Sequence, residues 1–490
     1  MKTNKILLTG LVLCSIPMLS AQEIQPNITS VEVSVTVDPG VIKGPVKPMN
    51  AVNNGPAWDS PQQKADFRIL DIPFSRTHDA SEGYYGERLV DISDIFPDFS
   101  KNPDKESSYD FRETDLYIKT LIEAGSEPFY RLGQTIENQI AAKYNIYPPK
   151  DYKKWAVICE HIIRHYNEGW ADGFHYNIRY WEIWNEADLD MSSGRWETEP
   201  RTWGGPIEEF HKMYAIAAKH LKSCFPDLKI GGPSYCRIQG TKTYFPEFFQ
   251  YMRDNKVPID FISWHKYGAE PSVYLMEADL IRGWMKEYGY GDAELILNEW
   301  NYRRFKEGSG SSNERYNRIN RRSMKGAAFV AATMSALQDA PVDMMMYYDF
   351  RANSNYCGFY DFQTYEHKPV YYAFYAWSHL RGDQCACTVE GGADDIYAVA
   401  SVKDGKTTLL LTRYDGDNNA SNLANVTVTL PAPQNAIPGT SAVIPGLTRN
   451  LIPCHLTDDE HLYTEIPLFP TEDGKVRISL WNNSIAVLEF

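Results

Sequence analysis

From about residue 48 to residue 375, short apolar runs alternate with longer stretches whose apolar positions recur every three or four residues. Alternation of that kind predicts repeated βα units and a parallel sheet. Eight runs qualify as strands: 49–52, 69–76, 128–132, 178–184, 229–232, 261–265, 295–298 and 344–348. Between them, 114–124 stops at Gly125 as a helix C-cap does, and 152–166 and 207–221 keep helical spacing. A polar loop, 307–314, precedes a long helix running through 327–337. Eight strands with intervening helices over about 330 residues predict an α/β fold of the (β/α)8 TIM-barrel type. A doubly wound sheet, the main competitor, requires a glycine-rich phosphate turn after its first strand, and the sequence has none there.

From about residue 385 the pattern changes to period two, at 396–402, 407–413, 425–430, 476–481 and 484–490. That is the signature of an accessory antiparallel β-sandwich. Residues 31–37 alternate in the same way and are expected to join it. The expected organisation is therefore N-terminal strands over 22–47 in the sandwich, a catalytic barrel over 48–380 and a C-terminal sandwich over 381–490.

In a TIM barrel, catalytic groups sit at the C-terminal ends of strands. The polar clusters fall there: Arg76 and His78 after the second strand, Gly133 and Gln134 after the third, Asn185 and Glu186 after the fourth, His265, Lys266 and Tyr267 after the sixth, Glu299 after the seventh, and Asp349 and Arg351 after the eighth. Singly, an Asn-Glu pair after an apolar strand is more often a helix cap. Two glutamates on separate strands, Glu186 and Glu299, are what glycoside hydrolysis requires, because one carboxyl must protonate the leaving oxygen while an ionised one meets the oxocarbenium-like centre. The acid needs a pKa raised by burial or by its neighbour's charge. Trp184 and Trp300 read as core aromatics, or, for Trp300 beside the nucleophile, as a sugar-stacking wall.

Residues 1–21, with Lys2 and Lys5 before a short apolar core, read as a secretory signal peptide cleaved near Ala21, which predicts a periplasmic or secreted protein. Leu19 is imperfect for that cleavage, and residues 11–13 before Cys14 lack the small residues that lipid attachment needs. No later segment approaches the roughly 20 apolar residues of a membrane span. A formal charge of −15, which becomes more acidic when two lysines leave with the leader, disfavours nucleic acid and anionic membranes as partners. The cysteines at 159, 224, 236, 357, 385, 387 and 454 are scattered, odd in number and read as mostly structural. With neither H-E-x-x-H nor clustered Cys/His spacing, no catalytic metal or other cofactor is expected. His161 and His165, four apart on a presumed outer helix, read as surface residues.

At Trp184-Asn185-Glu186, at 260–267 and at Asn298-Glu299-Trp300-Asn301 the chain resembles glycoside hydrolase family thirty-nine, which contains β-xylosidases and α-L-iduronidases within a clan of retaining barrels. The resemblance covers most of the chain. It implies Glu186 as acid/base, Glu299 as nucleophile, Asn185 at the sugar's 2-hydroxyl, His265 and Tyr267 lining the site, and Arg76 holding the nucleophile ionised. Ala187-Asp188 stands where the family commonly has Pro-Asn, and Asn298 where a Thr often precedes the nucleophile. The long segment 82–109 after strand two is expected to wall the cleft. A uronic substrate would need a cation for its carboxylate, and Lys266, Arg303, Arg304 and Arg351 are placed near the mouth. The reading leans to a neutral pentoside in a plant or host glycan. Its alternatives are an iduronidase-like or other-sugar hydrolase of the same clan, and a silent glycan-binding protein.

Overall fold

The computed structural model describes residues 29–490 apart from 58–59, 81–88, 137–143, 239–242, 307–312, 352–355, 357, 362, 393, 418–421, 430–451 and 472–474. Residues 1–21, read from the sequence as a signal peptide, and with them Cys14, lie outside the described residues, as do Cys357 and most of the polar loop 307–314.

Eight parallel strands close into a barrel: β2 (Ala51–Asn53), β3 (Phe74–Arg76), β4 (Glu127–Leu132), β5 (Tyr180–Ile183), β6 (Lys229–Tyr235), β7 (Phe261–Gly268), β8 (Glu294–Tyr302) and β9 (Met344–Tyr347). Closure is made where Ala51 and Val52 pair with Met346 and Tyr347. β1 (Ser30–Pro45) precedes the barrel in sequence but belongs elsewhere. All eight runs expected as strands overlap these. The second is shorter than expected, because the helix Pro61–Ile69, capped by the Ser60 side chain on Gln63 N–H, takes up Ile69 before Phe74 starts the strand. The long helix expected through 327–337 is Met324–Gln338, and a shorter one, Glu314–Arg321, precedes it.

Side-chain alternation along the strands stacks the barrel interior in layers. Ala51, Phe74, Phe129, Tyr180, Phe261, Ile296, Met344 and Met346 fill an apolar floor. β6 offers it only Gly231, where a Cβ would lie 2.3 Å from the Phe261 carbonyl oxygen. Two residues further along the same strands the inward positions become Asn53, Arg76, Arg131, Glu182, Ser263 and Asn298, every one buried. The functional site is built on this polar layer.

The remaining strands are β10 (Asp383–Gly391), β11 (Ile396–Lys403), β12 (Lys406–Arg413), β13 (Leu423–Thr429), β14 (Ile452–Thr457), β15 (Thr464–Leu468), β16 (Val476–Leu480) and β17 (Ser484–Glu489). They form one nine-stranded sheet in the order β15-β14-β17-β12-β11-β10-β1-β13-β16. Its two end strands, β15 and β16, touch, so the sheet folds back over a single core that includes Val35, Leu411, Val426, Ile478 and Leu488. The sheet is not purely antiparallel: β1 inserts between β10 and β13 and runs parallel to β13. Among the described residues no helix is long and apolar enough to cross a membrane. The described cysteines are all free thiols.

Candidate active site

Strict alternation would not bring both glutamates inward, and two local irregularities do so. Along β8, Ile296 and Asn298 point into the barrel, so Glu299 would face the outer helices. The pairing with β7 slips there: Trp264 pairs with Leu297 but His265 with Glu299. This bulge turns Glu299 inward and sends Trp300 outward. After β5, Trp184 and Glu186 adopt left-handed backbone conformations, φ 72° and 46°. The Trp184 ring thereby leaves the barrel to pack on Trp155 and Trp203, its indole N–H donating to the Thr202 carbonyl, while Asn185 and Glu186 turn in. Left-handed residues other than glycine cost about 1–3 kcal/mol each, and concentrate where function needs a fixed geometry.

Beneath the glutamates lies a buried ion pair. Arg76 donates from Nε to Glu182 at 2.7 Å, from Nη1 to Asn53 at 3.0 Å and Glu299 at 3.4 Å, and from Nη2 to Asn185 at 2.7 Å and the Ser234 hydroxyl at 3.1 Å. Every N–H of the guanidinium has an acceptor. Glu182 in turn accepts from Ser234 and Ser263, each at 2.7 Å, and from the Asn298 amide. Arg76 therefore neutralises Glu182 first and Glu299 second, whereas the sequence reading gave it to the nucleophile alone. The sequence reading missed Glu182, Asn53, Ser234 and Ser263. Inward parity was the available signal: Glu182 lies two residues after Tyr180 of the floor, inside an otherwise apolar strand.

Glu299 accepts from the Tyr267 hydroxyl at 2.8 Å on Oε1 and faces Arg76 and His265 Nδ1, at 3.4 and 3.5 Å, on Oε2. Glu186 Oε1 lies 2.8 Å from the same His265 nitrogen. One ligand atom from each of Glu186, His265 and Glu299 falls within 4.8 Å of the other two. Burial pushes both carboxyls up to about 7, with Glu186's charge adding to the rise at Glu299 and Arg76 opposing it at both. Burial pushes His265 down to about 4, so it is neutral at physiological pH. His78, 1% exposed, is driven well below its ordinary range by burial and by the Arg76 and Arg131 charges. Its Nε2 lies 3.3 Å from Asp79.

Of the predicted site residues, the structure brings Arg76, His78, Asn185, Glu186, His265, Tyr267 and Glu299 together. Trp300 is the exception: it is fully buried behind the barrel wall against Tyr274, Phe329 and Tyr347, and cannot stack on a sugar. His161 and His165 are not surface residues either. The helix Tyr152–Glu168 packs that face inward, His165 stacking on Phe111 with ring centroids 3.6 Å apart and bonding the Asp115 carboxylate at 2.9 Å. Of the segment 82–109, Leu89 to Phe96 is largely buried, and Asp91 accepts from Arg131 at 2.8 Å. A second group of potential metal ligands, Glu160, His220 and Cys224, lies on outer helices, where Glu160 already pairs with Arg164 and His220.

The sequence profile of glycosyl hydrolases family 39 matches residues 84–438. A beta-xylosidase of Caldicellulosiruptor saccharolyticus is 26% identical over 366 residues, covering 68% of this chain and 70% of that one. A glucosidase from Croceicoccus marinus superposes with a TM-score of 0.69 at 19% identity, over 93% of this chain and 98% of that one. A monomeric beta-xylosidase from Caulobacter crescentus CB15 superposes with a TM-score of 0.66 at 15% identity, over 93% and 99%.

Proposed function

Because the chain belongs to glycosyl hydrolases family 39, and is therefore a glycoside hydrolase, we propose that it is a retaining, β-xylosidase-like exo-glycosidase in which Glu299 is the nucleophile and Glu186 the acid/base. The observation that carries this reading is the approach of the two carboxyls at the C-terminal ends of their barrel strands, with an oxygen of each within 4.8 Å of the other. A retaining pair stands about 5 to 5.5 Å apart, whereas an inverting pair leaves room for a water at about 6.5 to 9.5 Å.

The roles follow from the donors. Glu299 receives the Tyr267 O–H and faces the Arg76 cation at 3.4 Å, both of which favour its charged form, while the Glu186 carboxyl meets the neutral His265 ring and feels the Arg76 charge without a direct contact among the described residues. One proton shared between two coupled carboxyls therefore resides on Glu186. Glu299 attacks the anomeric carbon as Glu186 gives its proton to the departing oxygen. Water then attacks the same carbon, Glu186 takes the water's proton, and Glu299 leaves as the carboxylate. The Asn185 side-chain oxygen is held by Arg76, and its buried Nδ2 has no partner among the described residues, which suits donation to the sugar's 2-hydroxyl.

The sugar is neutral. The four cations placed near the mouth for a uronate carboxylate are already engaged: Lys266 with Glu277, Arg303 with Glu314 at 2.9 Å, Arg304 with Asp417, and Arg351 with Asp349 and the Tyr348 hydroxyl. This disfavours an iduronide, and the curated xylosidase relative supports a β-xyloside, taken from a plant or host glycan. The leader read at residues 1–21 supports action in the periplasm or outside the cell. Incubation with 2,4-dinitrophenyl 2-deoxy-2-fluoro-β-xyloside is expected to add one fluoroxylosyl group to Glu299, found by peptide mass mapping. Glu299→Gln should lose turnover, and Glu186→Ala should keep turnover only of substrates with very good leaving groups, rescued by azide. A protein that binds xylosides but takes up no label is a binder and not this enzyme.

A further inference from the structure

Asp188 is fully buried two residues after Glu186, and the mechanism above does not use it. Its carboxylate accepts the backbone N–H of Cys236 at 3.1 and 3.2 Å on its two oxygens, the N–H of Arg237 at 2.7 Å, and the Cys236 thiol at 3.6 Å. Beside it the Glu186 N–H donates to the Ser234 carbonyl at 3.1 Å, and Thr202 donates to the Glu186 carbonyl at 2.6 Å. The left-handed turn that carries Glu186 is thus tied to the end of β6 by the Glu186 N–H and, two residues on, by the Asp188 carboxylate.

We propose that Asp188 is a positioning residue for the acid/base, fixing the turn after β5 to the end of β6 and placing a second buried negative charge against Glu186. The inference rests on Glu186 being the acid/base. A neutral Asn in this place would offer one acceptor oxygen and turn an NH2 toward a backbone donor; the carboxylate satisfies both donors and adds charge. Glu186 bonds Ser234 and Asp188 bonds Cys236, two residues further along the same chain segment, so the two acids share one neighbourhood. Burial, reinforced by Glu186 and opposed by the two backbone donors, pushes Asp188 up to about 7, the same region as Glu186. The charged and titratable groups around the pair are Asp190 and Arg201 from its own loop, Tyr235, Cys236 and Arg237 from β6 and beyond, His265 and Glu299 across the cavity, and Arg76 and Asp79 from the end of β3.

Two such groups lose their protons in coupled steps, and each delays the other. In Asp188→Asn, Glu186 loses that repulsion and ionises at lower pH. The alkaline limb of kcat/KM should therefore move down by about half a pH unit or more. At a pH above the limb, xylosides with poor leaving groups should lose about tenfold more activity than 2,4-dinitrophenyl β-xyloside, which needs little protonation. An unmoved limb with equal losses on both substrates would make Asp188 a structural residue only and overturn the proposal. If Asp188→Asn does not fold, carbon-13 NMR titration of the wild-type side-chain carboxyls decides. Glu186, assigned through Glu186→Gln, and Asp188 should each show two inflections, and single independent inflections would overturn the proposal. Unimpaired turnover in Glu186→Gln would instead refute the acid/base assignment itself.

Discussion

Glu186 is held in a place that stability alone would not choose. Its carboxyl is pushed from an ordinary 4.5 up to about 7, chiefly by burial, so the folded protein keeps a proton that the unfolded chain has released over that interval. The group's contribution to stability therefore declines as pH rises from about 4.5 to about 7, and stays at its lower value above both pKa values. Glu186→Gln removes the ionisation while preserving shape. It should melt within a degree of the wild type near pH 4.5 and about 3 °C higher at pH 8, measured by scanning calorimetry at both pH values. A wild type as stable as the variant at pH 8 would mean that the buried charge carries no such cost. At this scale the sequence was informative where chemistry sits at the end of an apolar strand, as with Asn185, Glu186 and Glu299. It was silent about Glu182, whose acid is hidden within the strand, and misleading about Trp300, because one bulge in β8 reverses which of Glu299 and Trp300 faces inward.

Each barrel strand contributes one step of a graded interior, from an aromatic floor through the Arg76–Glu182 layer to the two glutamates. In the middle layer Arg76 and Glu182 are both fully buried and 2.7 Å apart. Removing one partner of such a pair leaves an uncompensated charge and typically costs about 3–5 kcal/mol. Glu182→Leu should accordingly lower the guanidinium unfolding midpoint by that amount of stability, and Glu182→Gln, which keeps an acceptor for Arg76, by less. Equal midpoints for both variants and the wild type would show that the layer has another source of compensation. The strands themselves were legible because buried parallel strands read as apolar runs. The bulge and the turn at Trp184 were not, since neither carries a glycine or proline to announce it and both are imposed by tertiary packing. The helix at Pro61–Ile69 likewise absorbed Ile69, which apolarity alone assigned to a strand.

The folded-back sheet has two faces that alternate residue by residue along each strand. On β12, Leu409 and Leu411 enter the sheet's own core, whereas Leu410 joins the barrel's core together with Val399, Ile485 and Val487. These meet the helix Met324–Gln338, which is buried nearly throughout because the barrel covers one side and the sheet the other. Polar latches close the same junction: Tyr414 donates to the Ala269 carbonyl, and Lys325 to the Gly416 carbonyl. Period-two alternation identified these strands from sequence, but not that both of their faces are apolar in use, since a face covered by a helix and a face covered by another strand look alike. A junction this apolar makes the barrel and the sheet one cooperative unit. Leu410→Asp, which alters the junction and spares the sheet's own core, puts an unpaired charge where β12 meets the helix Met324–Gln338 and should destabilise by about 3 kcal/mol or more, on the order of other buried unpaired charges. The loss should appear as one transition at lower temperature, with far-UV circular dichroism, which reports on the whole chain, and tryptophan fluorescence, weighted to the barrel, moving together. Two separated transitions, with the barrel signal at its wild-type midpoint, would mean that the sheet is an independent appendage and that the catalytic barrel stands without it.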